Sequence, residues 1–248
     1  IRMNARSVFA LASLVLAPLT THALTLDDDF NLDMTLGVFS DYRTRGISQT
    51  LGDPAAQASA TLVHSSGLYM GAWTSNVDFG GEFKTRQELE YYAGYYWQAT
   101  EAISLDLGYI KYDYPKEGQF NLSEVYAILD LYGVKLGANY SNDTPNVFGE
   151  DQDTLYTYLS YQFALPAELG LNVRVGRSDV KDPAYWTTNG DSREAYYEWE
   201  ARLSRDFVGV TWGLSYIDTD LSNSECAGWY GYDDLCTATV VASASKTF

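Results

Sequence analysis

A chain of 248 residues with 33 acidic against 16 basic side chains carries a formal charge of −17, which repels nucleic acid and excludes it as a partner. With 21 tyrosines, 6 tryptophans and 10 phenylalanines the chain is no disordered acidic polymer, and this aromatic content suits the interfacial girdles of a membrane barrel. Strong acidity fits a soluble periplasmic protein equally well, so charge alone leaves the compartment open.

The N-terminus predicts a secretory signal over 1–23. Arg2 and Arg6 are basic, Ser7 to Leu19 is mostly apolar, and Thr21, His22 and Ala23 supply a small-x-small site with cleavage expected between Ala23 and Leu24. The apolar run is too short for a membrane-spanning helix and is broken by Pro18. A start at Met3 would leave Arg6 as the basic end. Removal of Arg2 and Arg6 leaves 14 basic against 33 acidic residues, a charge of −19. No later stretch has the unbroken apolar length of a transmembrane helix, so a crossing must use strands.

From Leu32 onward, apolar residues alternate with polar or small ones in segments of about ten, the length that a tilted strand needs to cross hydrocarbon. Val125, Ala127, Leu129 and Leu131 oppose Glu124, Tyr126, Ile128 and Asp130. Leu169, Leu171, Val173 and Val175 oppose Gly170, Asn172, Arg174 and Gly176, and Tyr197, Trp199, Ala201 and Leu203 oppose Tyr196, Glu198, Glu200 and Arg202. A soluble sandwich also alternates, so the connections discriminate. Short ones at 64–67, 99–101, 131–133, 165–168 and 206–209 interleave with longer polar ones at 43–54, 79–84, 115–120, 142–153, 181–193 and 221–236. Short periplasmic turns and longer outer loops are the asymmetry of outer-membrane barrels. The segments count to about twelve strands, an even number that puts both termini on the periplasmic side of one all-β, antiparallel, closed barrel over 24–248. Closure is required because an open edge would leave backbone groups unpaired in lipid. Thr237 to Phe248 alternates and ends in an aromatic residue, like the C-terminal signal that outer-membrane proteins offer to the barrel assembly machinery.

Ser40-Asp41-Tyr42, Arg45-Gly46-Ile47-Ser48-Gln49-Thr50 and Pro54-Ala55 resemble the TorF family, a proteobacterial group of porin-type outer-membrane proteins of unknown function. Ser66 to Gly71, Trp73 to Phe79 and Glu90 to Tyr95 continue the likeness through the first half of the chain, with Thr44 departing from the bulky residue expected there. The resemblance implies an outer-membrane barrel with porin-like behaviour and brings no defined substrate.

If the apolar faces meet lipid, Arg86, Glu88, Glu90, Asp106, Glu124, Asp130, Lys135, Arg174, Glu198, Glu200 and Arg202 point inward as candidate pore-lining residues. Acids outnumber bases among them, so an open lumen would favour cations weakly, although these charges could simply pair and stitch the wall. Tyr92, Tyr96, Tyr156, Tyr158 and Tyr196 also point inward, where they could stack on solutes or fill space.

Catalysis lacks a constellation: after loss of His22, His64 is the one histidine, and it sits at a predicted turn beside Ser65 and Ser66. The same shortage argues against zinc, and no cofactor is expected. Cys226 and Cys236 share one late loop, where an oxidising compartment favours a disulfide. The expectation is a porin-like channel for small solutes, set among outer-membrane lipid and lipopolysaccharide. The competing expectation is a non-conducting structural or adhesin-type barrel that binds partners through its outer loops; there Trp229, Tyr230 and Tyr232 could anchor a partner or equally fold back to plug or narrow the mouth.

Overall fold

A computed structural model describes residues 24–146, 150–187 and 189–248, so the expected signal segment lies outside the described residues. Twelve long strands follow one another round the barrel: β1 (Phe30–Phe39), β2 (Ala55–His64), β3 (Leu68–Asn76), β4 (Gln87–Thr100), β5 (Ile103–Asp113) and β6 (Leu122–Leu131) form the first half. The second half is β7 (Val134–Pro145), β8 (Asp151–Leu165), β9 (Leu169–Val180), β10 (Ala195–Phe207), β11 (Val210–Thr219) and β12 (Thr239–Thr247). Each pairs antiparallel with its chain neighbours, and β12 returns to β1 through Ser243↔Phe39 to Thr247↔Thr35, closing the sheet. The fold is the closed, antiparallel twelve-stranded barrel that the alternation and even strand count predict. Leu24, the first described residue, and Phe248 both lie at the short-turn end.

Alternation sets the sides. On β10, Tyr197, Trp199 and Leu203 face outward and are exposed, whereas Tyr196, Glu198, Glu200 and Arg202 face inward and are buried. Outward side chains such as Val38 at 58% and Trp97 at 52% exposure form an apolar jacket, while Glu198 inside is at 0%. This inversion of a soluble protein's pattern is what lipid outside and polar contents inside demand.

The short turns are tight because their residues accept left-handed backbone. Tyr132 and Gly133, at φ 56° and 87°, join β6 to β7, and Val208 and Gly209, at 54° and 71°, join β10 to β11. Two consecutive positive φ values match the right-handed strand twist of a two-residue hairpin. One predicted connection is shorter than expected. The segment 142–153 keeps Thr144↔Gln152 and Pro145↔Asp151 paired beyond an irregularity after Ser141, because continued pairing keeps backbone groups satisfied.

The longer loops carry structure of their own. Between β1 and β2, Arg43–Thr44 pairs with Ile47–Ser48 in a small hairpin. Between β9 and β10, Tyr185–Trp186 pairs with Ser192–Arg193. Between β11 and β12 lies helix α1 (Asn223–Tyr230), capped by a reciprocal Ser222–Glu225 box and ended by Gly231 in the left-handed region.

Candidate functional site: the barrel lumen

The first loop enters the lumen. Tyr42, Ile47 and Thr50 are buried, and the Tyr196 hydroxyl of β10 donates to the Arg45 carbonyl at 2.9 Å. Arg43 holds the base of the hairpin together, its Nε 2.7 Å from Asp41 and its Nη1 donating to the carbonyls of Gly46 and Thr237 at 3.0 Å each. Asp41 also accepts from the hydroxyls of Ser48 and Thr50, at 2.6 and 3.0 Å. At the tip, Gly46 has φ +84°, and a Cβ there would stand 2.4 Å from Thr219 Cγ2. Only glycine lets the hairpin lie this close to the wall.

The tip also completes a charged chain across the barrel. Arg45 Nη2 lies 2.6 Å from Glu124 Oε1 on β6, and its guanidinium sits 4.7 Å over the Tyr156 ring on β8. Tyr156 donates to Glu198 Oε1 at 2.5 Å. Arg174 on β9 lies 3.0 Å from Glu198 and 3.1 Å from Glu200 on β10. Glu124 accepts further bonds from Tyr112 at 3.1 Å and Asn139 at 3.0 Å. Burial works against the Arg45 charge, but Glu124 more than offsets it and holds the guanidinium above its ordinary range.

Beside this chain, the carboxylates of Glu88 and Glu90 on β4 stand next to Tyr42 and Tyr114. Burial, reinforced by those two charges, pushes both phenols well above the ordinary tyrosine value, so they stay protonated as donors. Glu88 Oε2 is buried without a hydrogen-bond partner among the described residues. Across the lumen, Arg202 donates to Ser243 at 3.2 Å and borders a cavity of about 40 Å³ shared with Asp41, Arg43 and Glu200, room for water-sized occupants.

Nearer the short turns, Asp106 accepts from Tyr69 at 2.5 Å, and Tyr69 also bonds Tyr126. Lys135 and Asp130 are register partners at that rim, where Asp130 accepts from the Gly133 N–H at 2.8 Å. Glu88, Glu90, Glu124, Arg174, Glu198, Glu200 and Arg202 therefore meet around the hairpin, while Asp106, Asp130 and Lys135 lie apart.

Arg86 corrects the inward assignment. Simple alternation from Glu88 places it in the lumen, but β4 begins at Gln87, so Arg86 belongs to the preceding loop. Its side chain is 57% exposed and borders a groove on the outer surface. Conversely, Asp41 and Arg45 stand in the family-like motif without being pore-lining candidates, and neither Arg43 nor Asp33, buried on β1, belongs to that motif or to the candidates. An arginine followed by glycine inside a longer polar loop is the available signal for an inserted tip.

The mouth above the hairpin is covered by α1 and its loop. Cys226 and Cys236 form a disulfide, and with Ile47, Tyr185, Leu221 and Leu235 they build a buried apolar cluster against which Trp229 and Tyr230 pack. The Ser48 N–H donates to the Leu235 carbonyl at 3.0 Å, which ties the two loops together. His64 pairs with Ser66 at 2.8 Å on an exposed turn far from this centre.

The barrel is similar to that of the NanC porin in a rhombohedral crystal form, with a TM-score of 0.53 and 9% identity over 87% of this chain and 98% of that one. It is also similar to the KdgM porin in complex with disordered oligogalacturonate, with a TM-score of 0.51 and 8% identity over 88% of this chain and 98% of that one. Identities this low speak for the fold alone. No curated protein matches the chain in sequence. The family model described as a bacterial protein of unknown function, Gcw_chp, matches residues 24–248, and the chain belongs to that family.

Proposed function

We propose that the protein is a porin-like channel of the bacterial outer membrane that passes small solutes by diffusion, with a modest preference for cations. The observation that carries this reading is the charged chain Glu124–Arg45–Tyr156–Glu198–Arg174–Glu200 inside a barrel of porin fold. Apolar packing would close a purely structural barrel at least as stably, because buried ion pairs recover little beyond their desolvation cost. Ionisable groups kept at membrane depth mark a solute or ion path. Asp41, Glu88, Glu90, Asp106, Glu124, Asp130, Glu198 and Glu200 outnumber Arg43, Arg45, Lys135, Arg174 and Arg202 on the inside, which lowers the energy of a cation in a narrow pore. The inserted hairpin, tied to the wall through Arg45 and Glu124, is then the constriction. KdgM was captured with oligogalacturonate, which makes saccharide-sized solutes the first class to try here. Export through the segment 1–23 and assembly through β12 complete the proposal.

The test is single-channel conductance of the refolded barrel in a planar bilayer, with reversal potential under a salt gradient. Discrete steps with a cation-selective potential support the channel. A folded barrel that never conducts favours the second reading, a closed barrel that binds partners through its outer loops, for which the packing of α1 across the mouth speaks.

A further inference from the structure

On the outside of the barrel, where β2, β3 and β4 meet the loops at the outer end, a groove of about 440 Å³ opens. Ala56, Thr74, Asn76 and Gln87 line it from the strands, while Arg86 and Lys116 line it from the loops before β4 and after β5. The strand residues belong to the lipid-facing side: Ala56 pairs with exposed Val38, and Thr74 with Leu89, two residues from exposed Tyr91. The level is that of lipid headgroups. Tyr91 and Tyr109 stand outward as an aromatic belt, and Asn76 and Gln87, four residues on, lie about 13 Å beyond Tyr91 at 3.3 Å per residue.

The charge of this groove opposes that of the whole. In a chain of net charge −17, both ionic groups lining it are cations, and no carboxylate lines it. Lys116 makes no ion pair among the described residues. Arg86 is tethered by its Nη1 to the carbonyls of Phe83 and Thr85, at 2.9 and 2.7 Å, with Asp78 at a looser 3.6 Å. Exposed Lys111, the register partner of Tyr91, adds a cation at the level of the aromatic belt, outside the groove itself. The floor is already organised, since Gln87 donates to Thr74 Oγ1 at 3.0 Å and Asn76 accepts from the Ala56 N–H at 2.7 Å. Recognition therefore falls to the cations.

We infer that this groove binds the phosphorylated headgroup of a glycolipid in the membrane leaflet around the outer mouth. A guanidinium and an ammonium on a concave, lipid-facing rim suit the several oxygens of a phosphate ester whose acyl chains continue down the apolar jacket. The inference rests on the proposed orientation in an outer membrane, but not on conduction.

The test adds bisphosphorylated lipid A to the folded barrel in zwitterionic detergent and counts retained lipid by native mass spectrometry, with unfolding temperature as a second readout. Parallel arms use dephosphorylated lipid A and inorganic phosphate. The expected result is retention by the wild type and by Lys181→Gln, which changes an exposed lysine just after β9 and outside the groove, at least tenfold weaker retention by the Arg86→Gln/Lys116→Gln double variant, and neither effect from the parallel arms. Equal retention by the double variant overturns the inference, as does equal stabilisation by inorganic phosphate or by the dephosphorylated lipid. If the wild type conducts but binds no lipid A, the groove proposal fails alone. If it binds lipid A but never conducts, the channel reading fails alone.

Discussion

Arg45, at the tip of the loop between β1 and β2, reaches 2.6 Å from Glu124 on β6, so a loop residue completes the ion-pair network of the barrel wall. The pair fixes where the hairpin sits, and it places one positive charge where carboxylates otherwise dominate. Removing Arg45 frees Glu124 and empties the space over Tyr156. The Arg45→Ala barrel should conduct about twofold more per step and shift its reversal potential further toward cations, because a lumenal charge of the opposite sign is lost. Bilayer recordings in a salt gradient read both effects, and an unchanged potential would remove Arg45 from the constriction.

The carboxylates give the complementary test. With Glu88, Glu90, Glu198 and Glu200 all changed to glutamine, the cation preference should fall toward neutrality while the heat-modifiable folded band persists on a gel. The carboxylates of Glu198 and Glu200, at 3.0 and 3.1 Å from Arg174 in the wild type, no longer balance its charge, so the potential should move toward anions. A wild-type potential in this variant would mean that ions take no path past these groups.

The lid loop should respond to pH through Glu225. Burial opposes its ionisation, but the backbone N–H and hydroxyl of Ser222, together with Arg193, outweigh that and hold the carboxyl below its ordinary value of 4.5. A lowered folded value means that this carboxylate stabilises the loop fully above about pH 4.5 and loses that effect as pH falls through the folded value. Protease cleavage within 221–238 should therefore rise below pH 4 in the wild type, with a smaller pH response in Glu225→Gln. Identical profiles for the two would exclude the cap as the sensor.

Cys226 and Cys236 close a loop of sequence separation 10 beside the same cap. The Cys226→Ser/Cys236→Ser variant should loosen that loop by on the order of 2–3 kcal/mol and leave the barrel folded, since no barrel strand depends on the bond. Limited proteolysis followed by mass mapping checks this. Loss of the whole barrel fold would contradict it.

Gly67 carries the turn between β2 and β3 at φ +96°, and a Cβ there would lie 2.2 Å from the Tyr96 carbonyl oxygen. Backbone cannot yield as a flexible side chain can, so Gly67→Ala should destabilise the barrel by about 1–3 kcal/mol. Urea unfolding in detergent measures the shift, and a wild-type midpoint would show that the turn relaxes freely.

Most of the wall was readable from the residues. A period of two puts Tyr197, Trp199 and Leu203 on one face and Glu198, Glu200 and Arg202 on the other wherever the strand continues unbroken. Arg86 shows where that logic stops. Parity holds only inside a strand, and the strand begins one residue later. The short turns were legible for a similar reason, because Tyr132-Gly133 and Val208-Gly209 carry their own backbone preference.

What the amino-acid order determined by itself was the strand count, the closure and the side that each wall residue faces, all consequences of local periodicity and of lipid's intolerance of unpaired backbone. Tertiary structure alone decided that the first loop turns inward and that Arg45 finds Glu124 across 79 positions of chain. It also decided that Arg86 and Lys116 come together on the outside. Loops have no repeating pattern from which a direction can be read. Their place is set by long-range partners such as Glu124, Tyr196 and Leu235, which become neighbours only when the barrel closes.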